Sequence, residues 1–376
     1  MNRYQLFIIT ILSILALIFS SCRERIWMPG TPLPKDKVMI GVLHISDPFA
    51  EGSGYAYAHQ MGIEEMKKIL GITDSQILYR TNVDYVGIMG VEGAMRDLIA
   101  QGVNIIIATS WGYMENCEQL AQEFPSVVFA HASGYRSNET NFTNYFGKHH
   151  EARYLAGIIA GLKTQSNKIG FVAAWGTENS EVSGGLNAFA MGIEKINPQA
   201  RVYVKVTNSW FDPMGESEAT RALIAEGCDI IAQHVNTASP QLEAERAGVY
   251  GIGFNTDMSI DAPGAVLTSV LWQWGAYYTF LIQSLIDGTF TTRPWYGSLA
   301  DGIVALAPLS GIVQWEIETL DILETERRRI ESSAFNVFSG VLETNDGRHI
   351  GREGESFPDE EIQFGIDWHY RTIIEL

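Results

Sequence analysis

An internal repeat constrains this sequence of 376 residues more than any other feature. The stretch MIGVLHIS, from Met39, matches KIGFVAAW, from Lys168, and AMRDLIAQGVNIII matches ATRALIAEGCDIIA, at an offset of about 125–130 residues. In each copy, short and continuously apolar runs alternate with amphipathic stretches, which is typical of parallel strands covered on both faces by helices. Because parallel strands need right-handed crossovers, the sequence predicts two doubly wound, parallel-sheet α/β domains.

The chain continues beyond the second copy, and its last segments are expected to complete both domains. The apolar WGAYYTFLIQSLIDGTF predicts a helix of the N-terminal domain, whereas LETERRRIESSAFNVF and the terminal PDEEIQFGIDWHYRTII predict helices of the C-terminal domain. The chain would then pass between the domains three times, which predicts a three-crossing hinge. The expected boundaries are 38–147 plus 271–295 for the N-terminal α/β domain and 148–270 plus 296–376 for the C-terminal α/β domain.

The first 37 residues are expected to lie outside these domains. Arg3 precedes LFIITILSILALIF, an apolar stretch of the length found in secretion signals and short for a membrane span. Cys22 follows two serines, as in the lipobox of bacterial lipoproteins, although Phe19 and the serines depart from its usual residues. We expect a signal peptide over 1–22, lipidation at Cys22 and a proline-containing tether over 23–37. The alternative is a plain signal peptide with an incidental cysteine.

The charge balance argues against one class of partner. The formal net charge is −18 at pH 7 and the sequence pI is about 4.8, and no block of basic residues occurs. Binding to nucleic acid or to an anionic lipid surface needs clustered lysine and arginine. We therefore expect no nucleic-acid partner, and the only membrane contact expected is through the lipid anchor.

Motifs typical of catalysis and metal binding do not occur in the sequence. Gly-x-Ser-x-Gly, Cys-x-x-Cys and His-Glu-x-x-His are missing, and the glycine-rich EGSG lacks the spacing of a nucleotide-binding loop. His149 and His150 are adjacent, so on a helix they would not face one site. We expect no catalytic residue, metal or cofactor. The sequence leaves one alternative open, a pair of carboxylates that act as general acid and base. Cys117 and Cys228 are expected to be unpaired and buried, with a disulfide as the alternative.

Apolar, strand-like runs end in tryptophan four times. IIIATSW ends at Trp111, IGFVAAW at Trp175, VYVKVTNSW at Trp210 and AVLTSVLW at Trp272. Open α/β sheets bind ligands beyond the carboxyl ends of their strands, so these side chains are expected to face a cleft between the domains. The alternative for each is packing at the edge of the core, and Trp272 could instead mark the strand that crosses back between the domains.

Longer stretches of the sequence resemble a known family. ATSWGYM, YFGKHHEARYLAGIIAG, GLNAFAMGIEKINP, VTNSWFDP, VLTSVLWQWGAYY and the tail FNVFSG…NDGRHIGREGE are similar to motifs of the basic-membrane-protein (Bmp) lipoprotein family. The resemblance covers about 37–376, and TNSWFDP with IIAQH is most similar to the purine-binding branch. It implies a type I periplasmic-binding-protein fold. It also implies a lipid-anchored, extracytoplasmic substrate-binding protein that delivers a purine base or nucleoside to the permease subunits of an ABC importer.

The resemblance also implies which residues contact the ligand. Family members stack the base between aromatic side chains, and polar groups at strand ends hold its edges and any ribose. Trp111 is expected to stack on the ring, and Asp257 to hold a polar edge or the ribose unless it caps the next segment. Asn255 would offer a donor and an acceptor, or else serve as a turn residue. Carried over by motif, the ligand-binding residues are Tyr55, Ser110, Trp111, Trp175, Trp210, Phe211, Asn255 and Asp257.

This sequence departs from the branch at three places. Tyr55 stands where the branch often has tryptophan, Val235 and Asn236 stand where an acidic residue is common, and Trp175 lies in a variable loop. Two other functions on the same fold stay open. One is a nucleoside hydrolase that acts in the same cleft, and the other is a receptor for a sugar or a signal molecule.

Overall fold

Two sheets packed against helices organise the computed structural model, which describes residues 27–83 and 90–376. The strands are Ile40–Leu43 (β1), Ile77–Arg80 (β2), Ile105–Ala108 (β3), Val128–Ala132 (β4), Phe142–Gly147 (β5), Lys168–Ala173 (β6), Arg201–Val206 (β7), Ile230–His234 (β8), Tyr250–Asn255 (β9), Val266–Trp272 (β10), Trp295–Gly297 (β11), Val304–Leu306 (β12), Ser339–Glu343 (β13), His349–Ser356 (β14) and Ile373–Glu375 (β15). The longer helices are Gly54–Leu70 (α1), Gly90–Ala100 (α2), Met114–Glu123 (α3), His149–Lys163 (α4), Ser180–Ile196 (α5), Pro213–Ala225 (α6), Ser239–Ala247 (α7), Gly275–Asp287 (α8), Ile317–Glu331 (α9) and Asp359–Phe364 (α10).

The N-terminal sheet is parallel throughout and has the strand order β11-β5-β4-β3-β1-β2. Successive residues of β3 point to opposite faces of this sheet. Ile105 and Ile107 pack in one buried cluster, and Ile106 and Ala108 pack in another. Because both faces are covered, every position of the strand is apolar, which explains the continuous hydrophobic run in the sequence.

The C-terminal sheet has the order β12-β10-β9-β8-β6-β7-β15 and is parallel except for β12, which pairs antiparallel with β10. Its central order β10-β9-β8-β6-β7 repeats the order β5-β4-β3-β1-β2 of the first sheet. The correspondence confirms that the sequence repeat encodes two doubly wound α/β units. We refer to the parts of the molecule built on the two sheets as the N-terminal and C-terminal lobes.

The chain passes between the two sheets three times. It leaves the N-terminal sheet after β5, returns after β10 into α8, which packs on α1, and leaves again after β11. Lys148 lies in the first passage and Gly297 in the third. The N–H of Lys148 donates to the carbonyl of Gly297 at 2.7 Å, so a hydrogen bond joins these two connections. The three passages agree with the hinge that the repeat predicted, while the residue boundaries of the domains stay a prediction.

The segment before β1 is attached to the N-terminal lobe. Leu33 is buried, and its N–H donates to the carbonyl of Leu285 at 2.9 Å. The side chain of Gln76 donates to two further carbonyls of this segment. The last residues of the tether predicted over 23–37 are therefore packed against the lobe, and its bounds stay a prediction. Cys22 and the predicted signal peptide lie outside the described residues. Within the ranges that are described, no helix combines the length and apolarity needed to cross a membrane.

The last predicted helix is shorter than the sequence suggested. α10 covers six residues, and the chain then runs on to β15, which pairs parallel with β7 at the edge of the sheet. Beyond Gly365 the backbone is irregular rather than helical, and Trp368, His369 and Tyr370 are all buried. The carbonyl of Trp368 and the N–H of Tyr370 bond the side chain of Asn187 on α5 instead of other groups of a helix. The prediction of a helix through residue 374 was therefore wrong.

Candidate ligand-binding site

A cavity lies between the two lobes, at the carboxyl ends of their strands. Its inner part has a volume of ≈ 100 Å³ and opens into an outer part of ≈ 750 Å³. Both lobes contribute side chains, so a ligand held here would contact both and favour their closed arrangement. The inner part is lined by Ile45, Tyr55, Ser110, Trp111 and Ser133 from the N-terminal lobe and by Glu181, Trp210, Asn236 and Phe254 from the C-terminal lobe.

The loop that follows β3 presents Trp111 to the cavity. The side chain of Trp111 is 49% exposed, while Tyr113 in the same turn is buried and donates its hydroxyl to the carbonyl of Val83. From β4, His131 donates its Nε2–H to the carbonyl of Ser110 at 2.8 Å. Burial lowers the pKa of His131 to about 4, so the ring is neutral near pH 7. The hydrogen bond to Ser110 fixes the tautomer that carries its proton on Nε2. Tyr113 and His131 thus anchor the loop by hydrogen bonds, while the indole of Trp111 stays exposed to the cavity.

Three aromatic side chains from the two lobes meet at the mouth of the cavity. Trp111 and Tyr135 belong to the N-terminal lobe, and Phe364 belongs to α10 of the C-terminal lobe. The ring centroids are 5.8 Å apart for Trp111 and Tyr135, 6.4 Å for Trp111 and Phe364, and 5.9 Å for Tyr135 and Phe364. Rings at these separations attract each other, so the cluster holds the mouth together across the cleft.

The C-terminal lobe supplies the facing aromatic wall. Trp210 follows β7, and Phe254 lies on β9. The ring of His234 lies between them, with its centroid 5.8 Å from Trp210 and 4.3 Å from Phe254. On the opposite side, Tyr55 at the start of α1 is held edge-to-face on His59 at 4.5 Å. Aromatic surfaces from both lobes therefore bound one space, an arrangement suited to a flat ring.

Asn236 and Asn255 form a polar pair beside this wall. The Nδ2 of Asn255 donates to the Oδ1 of Asn236 at 3.2 Å, and the backbone N–H of Asn236 donates to the carbonyl of Trp210 at 2.9 Å. Asn255 is buried and has a φ of 70°, a conformation that asparagine tolerates better than most residues. The Oδ1 of Asn236 thus accepts one bond within the protein, and its Nδ2 can donate to a ligand.

Glu181 brings a carboxyl group to the cavity from the first turn of α5. The side chain of Asn179 caps this helix by accepting from the N–H of Val182 at 3.1 Å, and the Nε2–H of His149 donates to the carbonyl of Glu181 at 3.0 Å. The Glu181 side chain remains 24% exposed, with one carboxyl oxygen 3.5 Å from Nε2 of His234. Burial raises the pKa of Glu181 to about 7, and the nearby cation of Arg153 opposes this rise only in part.

Arg153 is fully buried behind the same wall. Its guanidinium lies over the ring of Phe254, 4.1 Å from the centroid, and 5.4 Å from that of Phe171. None of its side-chain nitrogens has a hydrogen-bond partner within the described part of the chain. Burial lowers the pKa of Arg153 to about 9, against the opposing effect of Glu181, so it remains a cation at neutral pH. The ring of Phe254 separates this charge from the cavity.

Four of the eight residues predicted from the family motifs line the cavity: Tyr55, Ser110, Trp111 and Trp210. The structure places the other four, Trp175, Phe211, Asn255 and Asp257, outside its lining. Asn255 adjoins the cavity through Asn236, as described above. Contact of any of the eight with a ligand stays a prediction.

Local geometry explains why the remaining strand-end residues lie elsewhere. Phe211 is 58% exposed on the surface, although it directly follows a lining tryptophan. Asp257 accepts a hydrogen bond from the N–H of Ser259 at 3.0 Å, which closes a local turn. Trp175 packs half-buried against the core of the C-terminal lobe, and Trp272 is buried within the core where the chain crosses back.

Five lining residues were not expected from the sequence: Ile45, Ser133, Glu181, Asn236 and Phe254. Ile45, Ser133 and Asn236 each follow a strand within two residues, so the strand-end argument applied to every strand would have found them. Phe254 lies inside a strand and Glu181 on a helix. No strand-end pattern in the sequence marks these two.

The described residues contain no group of three or more histidine, cysteine, aspartate or glutamate side chains arranged to hold a metal ion. Cys117 and Cys228 are buried and form no disulfide, as predicted. Burial raises the pKa of the Cys228 thiol to about 12, which leaves it protonated and unreactive at neutral pH.

Two facing α/β lobes with a cavity between them define a structural class, the type I periplasmic-binding-protein fold. An ABC transporter solute-binding protein from Conexibacter woesei superposes with a TM-score of 0.65 at 18% identity, covering 80% of this chain and 98% of that one. The chain belongs to the Bmp family, ABC transporter substrate-binding protein PnrA-like, whose family model matches residues 39–333. The family inferred from the sequence motifs is thereby confirmed.

Two relatives are named for different ligands. A purine-binding protein from Brucella abortus (strain 2308) is 30% identical over 333 residues, which covers 89% of this chain and 92% of the relative. A putative ABC transporter glucose-binding protein from Haloferax volcanii is 35% identical over 260 residues, which covers 69% of this chain and 65% of the relative. Family membership therefore leaves the ligand to be argued from the cavity.

Proposed function

We propose that this chain is the lipid-anchored, extracytoplasmic binding protein of an ABC importer and that it takes a purine base or purine nucleoside into the cavity between its lobes. The observation that carries the proposal is the presence of Trp111 and Trp210, from opposite lobes, in the lining of one small cavity. Indole rings suit a flat heteroaromatic ring, and each offset-stacked pair contributes about 0.5–1.5 kcal/mol beyond the area it buries.

The polar groups of the inner cavity fit the same ligand. Ser110 and Ser133 carry hydroxyl groups, Asn236 offers an amide donor, and Glu181 carries a carboxyl group. These groups complement ring nitrogens, carbonyls and amino groups along the edge of a purine. A compact inner part that opens into a larger outer part would accept the base inward and leave room for a ribose outward.

Isothermal titration with adenine, adenosine, guanosine, inosine and glucose tests this function directly. We expect at least one purine to bind with a dissociation constant of about 1 μM or lower. That constant corresponds to a binding free energy of about 8 kcal/mol, which is within reach of a purine ring at up to about 1.5 kcal/mol per heavy atom for very small ligands. Mass spectrometry of small molecules released on denaturation would identify a ligand that copurifies. Binding of glucose alone would reject the purine proposal and support a sugar-binding role, for which the Haloferax relative is the specific argument.

We further propose that the protein binds its ligand without transforming it. A substrate-binding family and a cavity built from aromatic side chains, hydroxyls and amides support this view. Incubation with inosine or adenosine should release no free base. Release that depends on the cavity residues would instead support a nucleoside hydrolase.

A further inference from the structure

Glu181 differs from the other residues that line the cavity. It is the one carboxylic acid among the described residues of the inner part, and it also lines the outer part. Two further glutamates, Glu178 and Glu360, line the outer part, whereas no described lysine or arginine lines either part. A ligand in this cavity therefore meets carboxyl groups without a compensating surface cation.

The surroundings of Glu181 leave its carboxyl oxygens available. No side chain or backbone N–H among the residues described donates a hydrogen bond to them, and His149 bonds only the backbone carbonyl. The nearest ring nitrogen, Nε2 of His234, is 3.5 Å away and has no hydrogen-bond partner in the described structure. Arg153, the nearby cation, is buried behind Phe254 and forms no ion pair with Glu181. A ligand can supply the donors that the protein does not.

We propose that Glu181 determines the charge class of the ligand: the cavity accepts a neutral or cationic nitrogen heteroaromatic that presents N–H donors to Glu181, and it rejects anionic rings and phosphorylated forms. This inference rests on the proposed function and specifies it. An ionised carboxylate only accepts hydrogen bonds, so it favours an edge bearing amino or ring N–H groups. It repels an anion strongly at short range in a cavity with little water.

Because Glu181 titrates, the proposed selection of ligands by charge should depend on pH. Burial raises the pKa of Glu181 to about 7, so the group gains its negative charge as the pH rises through neutrality. The titratable groups around it are His149 and Arg153 on α4, His234 on β8, Tyr296 on β11 and Glu178 in the preceding loop. Burial raises the pKa of Tyr296 well above its usual value, so its hydroxyl stays neutral in this range. Burial lowers the pKa of His149 to about 3 and that of His234 well below its usual value, so both are neutral near pH 7. Arg153 keeps its charge through this range, with a pKa of about 9.

The test compares three ligands of similar size: adenine, hypoxanthine and urate, which is an anion at neutral pH. Isothermal titration at pH 8 would be run on the full chain, on Glu181→Gln and on the control Glu139→Gln. The control removes the same formal charge from an exposed position that lines neither part of the cavity. We expect the parent protein to prefer adenine and hypoxanthine to urate by about tenfold or more, the size of effect set by one charge-assisted hydrogen bond. Glu181→Gln should shrink this preference by about fivefold or more, and Glu139→Gln should leave it within about twofold.

A second measurement does not depend on a variant. For the parent protein, the preference for adenine over urate should be larger at pH 8 than at pH 6, because the carboxyl group is mostly protonated at the lower pH. If purines bind but neither the substitution nor the pH changes the preference, the inference is overturned and the proposed function stands. If none of the three purines binds, the proposed function and the inference fall together.

Discussion

Gly54 in the N-terminal lobe and Asn236 in the C-terminal lobe approach so closely that a Cβ atom at Gly54 would overlap the carbonyl oxygen of Asn236. Gly54 has a φ of +87°, and its N–H donates to the hydroxyl of Thr256 at 3.3 Å across the same junction. The two lobes are therefore in direct contact next to the cavity. Glycine is required twice over at this position, for its backbone conformation and for the space it leaves.

The first prediction concerns this contact. Gly54→Ala should weaken purine binding by about tenfold or more, because the added methyl group pushes the lobes apart where they must close. Gly102→Ala is the matched control: Gly102 has a φ of +91°, but no atom of the described residues lies within 4 Å of the position its Cβ would take. Both variants carry similar backbone strain of about 1 kcal/mol. Isothermal titration should show lost affinity for Gly54→Ala alone, and equal affinities would show that the contact does not matter for binding.

The second prediction concerns the stacking residue. Trp111→Ala should weaken binding by about 2 kcal/mol or more, since the change deletes an aromatic face of the cavity. Phe211→Ala is its control, because Phe211 is similarly exposed beside a strand end but lies outside the cavity. Both variants should melt close to the parent protein without ligand. Unchanged binding by Trp111→Ala, or collapse of its fold, would assign the indole to packing.

The third prediction concerns the mouth of the cavity. Phe364→Ala should speed ligand release, because it removes the ring through which α10 contacts Trp111 and Tyr135 across the cleft. We expect an off-rate about thirtyfold higher in stopped-flow tryptophan fluorescence, from the loss of two aromatic pairs of about 1 kcal/mol each. Phe280→Ala, at an exposed aromatic residue outside the cavity lining, should leave the rate unchanged. Equal rates in the two variants would remove any role of the aromatic cluster in retaining ligand.

The fourth prediction follows from the raised pKa of Glu181. A carboxyl group whose pKa is raised by folding contributes most stability below its usual pKa of 4.5, and this contribution is lost as the pH rises towards about 7. Above about pH 7 the ionised group destabilises the ligand-free protein by at most about 3 kcal/mol. Glu181→Gln should therefore melt at a higher temperature than the parent protein at pH 8 and at nearly the same temperature at pH 4.5. A difference that does not vary with pH would contradict the ionisation argument.

The fifth prediction tests the anchor, which lies outside the described residues. Cys22→Ala should shift the protein from the membrane fraction to the soluble fraction, because lipidation of the cysteine sulfur is the proposed attachment. Ser21→Ala is a neighbouring control that keeps the cysteine. Phase partitioning in detergent, followed by mass analysis of the N-terminal peptide, measures both. An unmodified Cys22 in the mature protein would exclude lipidation.

Much of the fold could be predicted from the sequence because the determining signals are local. Continuous apolar runs indicate buried parallel strands, and amphipathic stretches indicate the helices between them. The repeat then implied two equivalent sheets, which share the same central strand order. Aromatic residues at strand ends led to Trp111 and Trp210, because the carboxyl ends of parallel strands meet at one edge of each sheet.

The tertiary structure alone decided which strand-end residues face the cavity. Asp257 follows a strand as Ser133 does, but its carboxylate is used by the N–H of Ser259 in a turn. Glu181 lies on a helix, and it reaches the cavity because α5 begins there and its backbone is bonded to His149. The sequence by itself determined two α/β units and a cleft, since these follow from hydrophobic period and strand order. The chemistry of that cleft depends on side-chain direction and on contacts between residues far apart in the chain, which no local pattern encodes.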